Sequence, residues 1–143
     1  MTRAPLRQYA RQEYAVADML TPAAARAFTA AQLDHWHVPD EPRDDAVQIA
    51  SELVANAVAH GAGGHVQVAL YRVDHTLTVM VTDQGGHTGI PCLRLPDAGA
   101  ESGRGLLLVA ALSRNWDWHH RETGLVVWAE VSLRLRRSPH GSK

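Results

Sequence analysis

The stretch ELVANAVAHG, residues 52–61, is typical of the end of a helix that packs against a core. At about 100° per residue, the apolar residues of this helix share one face; they are Ala46, Ile49, Ala50, Leu53 and Ala57, with Val54 and Val58 extending the face. Glu52 and Asn56 lie one turn apart at the edge of that stripe. Both side chains are therefore expected to reach toward whatever covers the rim of the core.

Two interpretations of Glu52 and Asn56 are open from these residues alone. They are either solvated boundary residues without a role, or parts of a polar site. Asn is a poor former of helix interiors, which weighs slightly against the first interpretation. In the second, the Asn56 oxygen suits Mg²⁺, which needs only one or two protein oxygens beside phosphates and water. Glu52 could then accept a proton from an attacking hydroxyl or water.

Length and composition favour one domain spanning residues 1–143, with a core over about residues 8–135 and a disordered tail at 136–143. Hydrophobic residues make up 45% of the chain, and the net charge of −1 gives no general attraction to nucleic acid or membranes. The apolar run at residues 105–112 is far shorter than the ~20 residues of a membrane span. With Cys92 as the only cysteine, no internal disulfide can form, and a cytoplasmic location is expected.

Lysine usage excludes two classes of phosphate chemistry. Lys143 is the only lysine and the last residue. A Walker A loop and a eukaryotic-type protein kinase both need a lysine within the fold. Any phosphate site must therefore use other donors, among which arginine is plentiful.

Hydrophobic periodicity and turn residues predict an α+β sandwich, with one mixed, mostly antiparallel sheet and helices on one face. The predicted strands are residues 8–18, 66–73, 77–81, 116–120 and 125–135, and the predicted helices are residues 22–35, 43–60 and 104–114. A turn is expected at residues 38–42. The Gly- and Pro-rich residues 84–103 form a loop long enough to suggest a function.

Two further motifs follow the helix. In VTDQGG, residues 81–86, Asp83 can accept the exocyclic N–H of adenine, and Gly85 leaves room for the adenine ring. The same residues are also typical of a turn at the end of a strand, without any ligand. In ESGRGLLLV, residues 101–109, Gly103 and Gly105 with Arg104 suit a phosphate at a helix start, and a hinge before a buried helix is the alternative. The apolar residues of that helix are expected in the core: Leu106, Leu107, Val109 and Leu112.

The order of the three motifs resembles the ATP-binding superfamily of gyrase, the heat-shock chaperone, the histidine kinases and MutL. Within it, the chain is most similar to the small bacterial anti-sigma-factor serine kinases. The features are the compact helix motif ending in HG, the passage GRGLLLV followed by LSRNWDW, and the closing strand LVVWAEV. The resemblance covers about residues 28–131 and implies a Bergerat fold that binds ATP with Mg²⁺.

The resemblance also implies roles for individual residues. Glu52 would be the general base, Asn56 the Mg²⁺ ligand and Asp83 the residue that reads adenine. Residues 84–102 would form a lid. The remaining nucleotide-binding positions would be Gly85, Gly103, Arg104, Gly105, Leu106 and His60, the last either at the nucleotide rim or capping the helix.

Family members transfer the ATP γ-phosphate to a serine of an anti-sigma antagonist and sequester a sigma factor, and they often form homodimers. The resemblance implies these partners here, without nucleic acid or membrane. The alternative is a nucleotide-gated binding module with little or no kinase activity. Glu52 favours the kinase. The alternative is favoured by His87, where the family has a glycine, and by Val126. The family often has a Lys-Thr pair in place of Leu125 and Val126, and the threonine of that pair helps hold adenine.

A structural zinc site is not expected from the nine histidines. His35 and His37 are two residues apart, and His119 and His120 are adjacent. Neither pair has the i, i+4 spacing that places two imidazoles on one helical face.

Overall fold

Five strands form one sheet: β1 (Arg7–Ala15), β2 (His65–Val73), β3 (Thr76–Asp83), β4 (Asn115–Arg121) and β5 (Gly124–Ser132). Three helices accompany them: α1 (Thr21–His35), α2 (Asp40–His60) and α3 (Glu101–Leu112). The computed structural model describes residues 4–16, 21–60, 64–84, 101–122 and 124–134, with only the backbone of residues 60 and 101–104.

The strand order is β1-β2-β3-β5-β4, and the pairing between each two neighbours is antiparallel. This arrangement confirms the α+β sandwich expected from the sequence. The described pairings contain no parallel pair, so the sheet is antiparallel where a mixed one was expected. The hairpin of β2 and β3 closes between Val73 and Thr76, and Asp74 in its turn has a φ of 51°.

The core lies between the three helices and one face of the sheet. Strand β3 shows the period of two most clearly, because buried residues alternate with half-buried ones along its whole length. Its buried residues are Leu77, Val79, Val81 and Asp83. Asp83 therefore continues an apolar row and points to the same side of the sheet as the helices.

Helix α2 buries the stripe that its sequence predicts. Ala46, Ile49, Ala50, Leu53, Val54 and Ala57 are all buried in the core, and Val58 packs against its margin. Each large aliphatic side chain buried in this way contributes roughly 1.5–3 kcal/mol to folding. The stripe fixes the rotation of α2, and with it the direction in which the residues at its edge point.

Two helix starts differ from the prediction. Helix α2 begins at Asp40, inside the turn expected at residues 38–42, because Pro42 is tolerated in a first helical turn. Helix α3 begins at Glu101, so the last residues of the expected loop are helical. Leu107 was expected in the core but is 52% exposed. Leu106 and Val109, three residues apart on the inner side of α3, take the buried positions instead.

The first and last strands in the chain end earlier than the sequence predicts. Strand β1 lies at an edge of the sheet, and it ends at Ala15 instead of residue 18. Strand β5 ends at Ser132, before the expected residue 135. The predicted tail at residues 136–143 lies outside the described residues. None of the helices in the described part of the chain combines the length and the low polarity needed to span a bilayer.

Candidate functional site

One edge of the α2 stripe carries both polar residues predicted for the site. Leu53, Val54 and Ala57 are buried between the helix and the sheet, while Glu52 is half-buried beside them. Asn56 is only 9% exposed. The helix packs on α3 and on β3. The edge with Glu52 and Asn56 therefore lies at the rim of the core, as the sequence predicts.

Asn56 is buried, and its amide oxygen has no partner among the described residues. Its Oδ1 is excluded from solvent and accepts no hydrogen bond from that part of the chain. An unsatisfied buried acceptor costs about 1–3 kcal/mol, so such groups are rare in folded proteins. This oxygen is available to a hard cation, which takes oxygen ligands. The donor set therefore fits an ion such as Mg²⁺.

The two carboxylate oxygens of Glu52 face different groups. Gln48, one turn earlier on α2, donates a hydrogen bond from Nε2 to Oε1 at 3.0 Å. Oε2 faces α3, where a Cβ atom added to Gly105 would lie only 2.7 Å from it. Gly105 therefore lets α3 approach the carboxylate more closely than any other residue would.

Asp83 ends β3 on the helix side of the sheet. It is 4% exposed, and its Oδ1 accepts a hydrogen bond from the backbone N–H of Leu125 at 3.4 Å. Asp83 pairs with Val66, which follows α2 by six residues. Because the connection is so short, Asp83 lies at the same end of the sheet as the C-terminal end of α2, where Asn56 is.

The register of β3 and β5 decides which neighbour borders Asp83. Val126 pairs with Thr82, so both side chains point away from the helices. Leu125 lies on the other face, packs in the core and bonds Asp83 through its N–H. The expectation that Val126 stands where a threonine would help the aspartate is therefore wrong. Leu125 occupies the face that Asp83 shares.

The glycines of the third motif lie in the first turns of α3. Gly103 and Arg104 are among the first four helical residues, whose N–H groups have no partner within the helix. Gly105 is the next residue, and Leu106 is buried in the core. The Leu106 side chain therefore anchors α3 and does not face solvent.

Several predicted positions are described only in part or lie outside the described residues. Gly85 and most of the expected lid, residues 85–100, lie outside the described residues, as does His87. His60 is the last residue of α2, and its side chain is outside the described set. The side chain of Arg104 is likewise not described.

Two contacts at the site were not predicted from the sequence. The first is the hydrogen bond from Gln48 to Glu52. It could have been predicted, because an amide and a carboxylate at i and i+4 of a helix are close enough to form a hydrogen bond. Gln84, directly after Asp83, accepts the His65 N–H through Oε1 at 3.0 Å. This bond ties the end of β3 to the start of β2, and so steadies the strand end that carries Asp83.

The chain is similar in sequence to a known domain family. A sequence model described as the histidine kinase-like ATPase domain matches residues 16–131. A comparison with curated proteins found no match.

Among solved structures, the crystal structure of the RsbU and RsbW domains of Rv1364c from Mycobacterium tuberculosis superposes with a TM-score of 0.67 at 19% identity. The match covers 87% of this chain and 32% of that one, so the chain spans about a third of that structure's length. At this identity the likeness shows a shared fold.

Proposed function

The chain belongs to the histidine kinase-like ATPase domain family, and from this membership we propose that it is an ATP-binding regulator of the anti-sigma-factor type. In this proposal it transfers the γ-phosphate of ATP to a serine of an anti-sigma antagonist and sequesters a sigma factor. The buried, unpartnered Oδ1 of Asn56, one turn from Glu52, is the observation that carries the proposal. The match of motif order to the anti-sigma-factor serine kinases supports it.

Asn56 is the proposed ligand of Mg²⁺. Its orphaned oxygen regains a partner when a cation binds, so binding relieves a cost that the protein otherwise carries. The bound ion would neutralise charge on the triphosphate. An amide oxygen is a sufficient protein contribution, because Mg²⁺ usually takes most of its ligands from phosphates and water.

Glu52 is the proposed general base. The serine hydroxyl of the antagonist gives its proton to the Glu52 carboxylate while its oxygen forms a bond to the γ-phosphorus. The bond between the γ-phosphorus and the bridging oxygen breaks, and ADP leaves with that oxygen. Phosphoryl transfer depends mainly on positioning and charge neutralisation, so one carboxylate held at the rim of the core is sufficient as the base.

Asp83 and the start of α3 are proposed to hold the two ends of the nucleotide. The buried carboxylate of Asp83 can accept the exocyclic N–H of adenine, which guanine does not offer at that position. The first N–H groups of α3, including that of Gly103, have no partner within the helix and favour the phosphates. Arg104 would add its positive charge at the phosphates, and Gly105 is proposed to lie beside it at the same site. We also propose Gly85 and His60 as neighbours of the nucleotide. Leu106 is proposed to act indirectly, because its side chain anchors the helix that would hold the phosphates.

The alternative function is a nucleotide-gated binding module with slow or absent transfer. The apolar surroundings of Asp83 favour this alternative, because neither Leu125, which borders it, nor Val126, where the resemblance implies a threonine, offers a polar side chain. Affinity for ATP would then rest more heavily on Asp83 alone. The half-buried Glu52 carboxylate, facing α3 beside Asn56, favours the kinase.

The proposed partners are a sigma factor and an antagonist protein, with a homodimer as the assembly and the cytoplasm as the location. Nucleic acid and membrane are not proposed as partners. The family resemblance is the ground for the protein partners.

The test of function is transfer of radiolabelled phosphate from ATP to a candidate antagonist. The wild type should label the antagonist, and Glu52→Ala should lower the rate by about 10²–10⁴-fold, the usual contribution of a positioned base. Binding of ATP, measured by calorimetry, should survive in both proteins. ATP binding without any transfer by the wild type would favour the binding module instead.

A further inference from the structure

The Glu52 carboxylate is restrained from two sides. Gln48 donates from Nε2 to Oε1 at 3.0 Å, and Oε2 lies against the backbone of α3 at Gly105. Gln48 itself is exposed and has no place in the apolar stripe of α2. Among the described residues, the hydrogen-bond partner of its side chain is Glu52, the residue proposed as the base.

An ordinary explanation for the pair is helix stabilisation. Polar pairs at i, i+4 stabilise a helix weakly, and this would explain Gln48 without any role in function. The explanation leaves the direction of the carboxylate unaccounted for. Glutamate has several rotatable bonds and loses conformational entropy when one rotamer is fixed. Glu52 is half-buried and turned toward α3, so something must select that rotamer.

We propose that Gln48 is a positioning residue for Glu52. Its amide fixes Oε1 so that Oε2 is turned toward the start of α3, where the third motif would hold the phosphates. This inference rests on the proposed function, because it assigns Gln48 to the alignment of the base for phosphate transfer. Gln48 does not touch the nucleotide, and it acts through the orientation of the carboxylate.

Positioning predicts a change in turnover without a change in binding. A misplacement of about 1 Å can cost a reaction up to about 10²-fold, whereas the ATP contacts of Asn56 and Asp83 do not involve Gln48. Gln48→Met keeps the length and removes the donor, so kcat for transfer should fall about 5- to 100-fold with KM for ATP unchanged. Gln48→Glu should be worse, because a second carboxylate one turn away repels the first. Gln48→Lys restores a donor and should recover part of the rate.

Two controls separate positioning from helix stability. Gln32→Met makes the same change on a half-buried glutamine of α1 and should leave kcat unchanged. In a Glu52→Gln background, Gln48→Met should cause no further loss, because the residue through which it acts is already altered. An equal loss in both backgrounds would overturn the proposal.

A rotamer measurement decides the inference apart from catalysis. Three-bond NMR couplings of Glu52 should report one dominant χ1 rotamer in the wild type and in Gln32→Met, and averaged rotamers in Gln48→Met. Averaged couplings already in the wild type, or unchanged couplings in Gln48→Met, would overturn the proposal even if transfer is observed. A wild type that transfers no phosphate, but whose single Glu52 rotamer becomes averaged in Gln48→Met, would contradict the kinase function and still support Gln48 as the residue that orients Glu52.

Discussion

A Cβ atom on Gly105 would lie 2.7 Å from Oε2 of Glu52, so the start of α3 and the edge of α2 meet with no room for another methyl group. The contact joins two motifs that lie about 50 residues apart in the sequence. It places the proposed base beside the helix that would hold the phosphates. The neighbouring Asn56 lies one turn further along α2.

Gly105→Ala should separate stability from activity. The added methyl group meets the far end of a flexible side chain, so Glu52 turns away while the backbone stays in place. Alanine is better than glycine inside a helix by about 1 kcal/mol, so the unfolding temperature should stay the same or rise. The transfer rate should fall by about tenfold or more, because the carboxylate is displaced. Thermal unfolding and phosphate transfer measured on the same preparation check both parts.

The Glu52→Gln background is the control for Gly105→Ala. If the methyl group acts by displacing the carboxylate, then adding it to Glu52→Gln should cause little further loss. A full-strength effect in that background would mean that Gly105 serves the site in some other way.

Asn56→Ala should remove the Mg²⁺-dependent part of ATP affinity. In the wild type, calorimetry should show tighter ATP binding with Mg²⁺ than with a chelator, and in Asn56→Ala the two values should converge. The variant also removes a buried acceptor that lacks a partner, so its unfolding free energy should fall by less than about 1 kcal/mol or should rise. Asn115→Ala, at an exposed asparagine of β4, is the matched control and should keep the full Mg²⁺ effect. An unchanged affinity in Asn56→Ala would remove the metal assignment.

Asp83→Asn should weaken ATP more than GTP. In the proposed site the carboxylate would accept the adenine N–H, and a site built for that hydrogen bond discriminates strongly when it is altered. We expect a loss of about tenfold or more for ATP, with a smaller change for GTP. Asp117→Asn, at an exposed aspartate of β4, serves as the control. Equal losses for the two nucleotides would exclude Asp83 as the adenine contact.

The two residues after Gly124 give a prediction that depends on strand register. Leu125→Thr places a hydroxyl on the face of Asp83 and should raise ATP affinity by about fivefold, the value of one added hydrogen bond. Val126→Thr places the same group on the opposite face and should leave ATP affinity unchanged. Both positions are buried, so each variant should lose some stability. A gain in ATP affinity with Val126→Thr alone would mean that the register of β3 and β5 differs from the one described here.

The sequence was sufficient where one strong pattern determined the outcome. The stripe of α2 was readable because six buried residues repeat at helical spacing, and that stripe placed Glu52 and Asn56 at its edge. The alternation along β3 likewise placed Asp83 at a strand end. The identities of the helices and strands followed from the same periodicities.

The remaining features depend on contacts that periodicity does not encode. Leu125 and Val126 are both apolar, and only pairing with β3 shows which of them borders Asp83. Leu107 belongs to a helix that is apolar on most sides, so its exposure depends on how α3 is rotated against the sheet. The start of α2 at Asp40 does not follow from the sequence, because Pro42 fits a turn and a first helical turn equally well.

The most direct test of the account is a crystal structure with Mg²⁺ and a non-hydrolysable ATP analogue. The account predicts the metal at Asn56 Oδ1, the adenine amino group at Asp83, and the γ-phosphate between Glu52 and the first turn of α3. A structure in which this space is filled by side chains, or in which the analogue lies elsewhere on the protein, would contradict it.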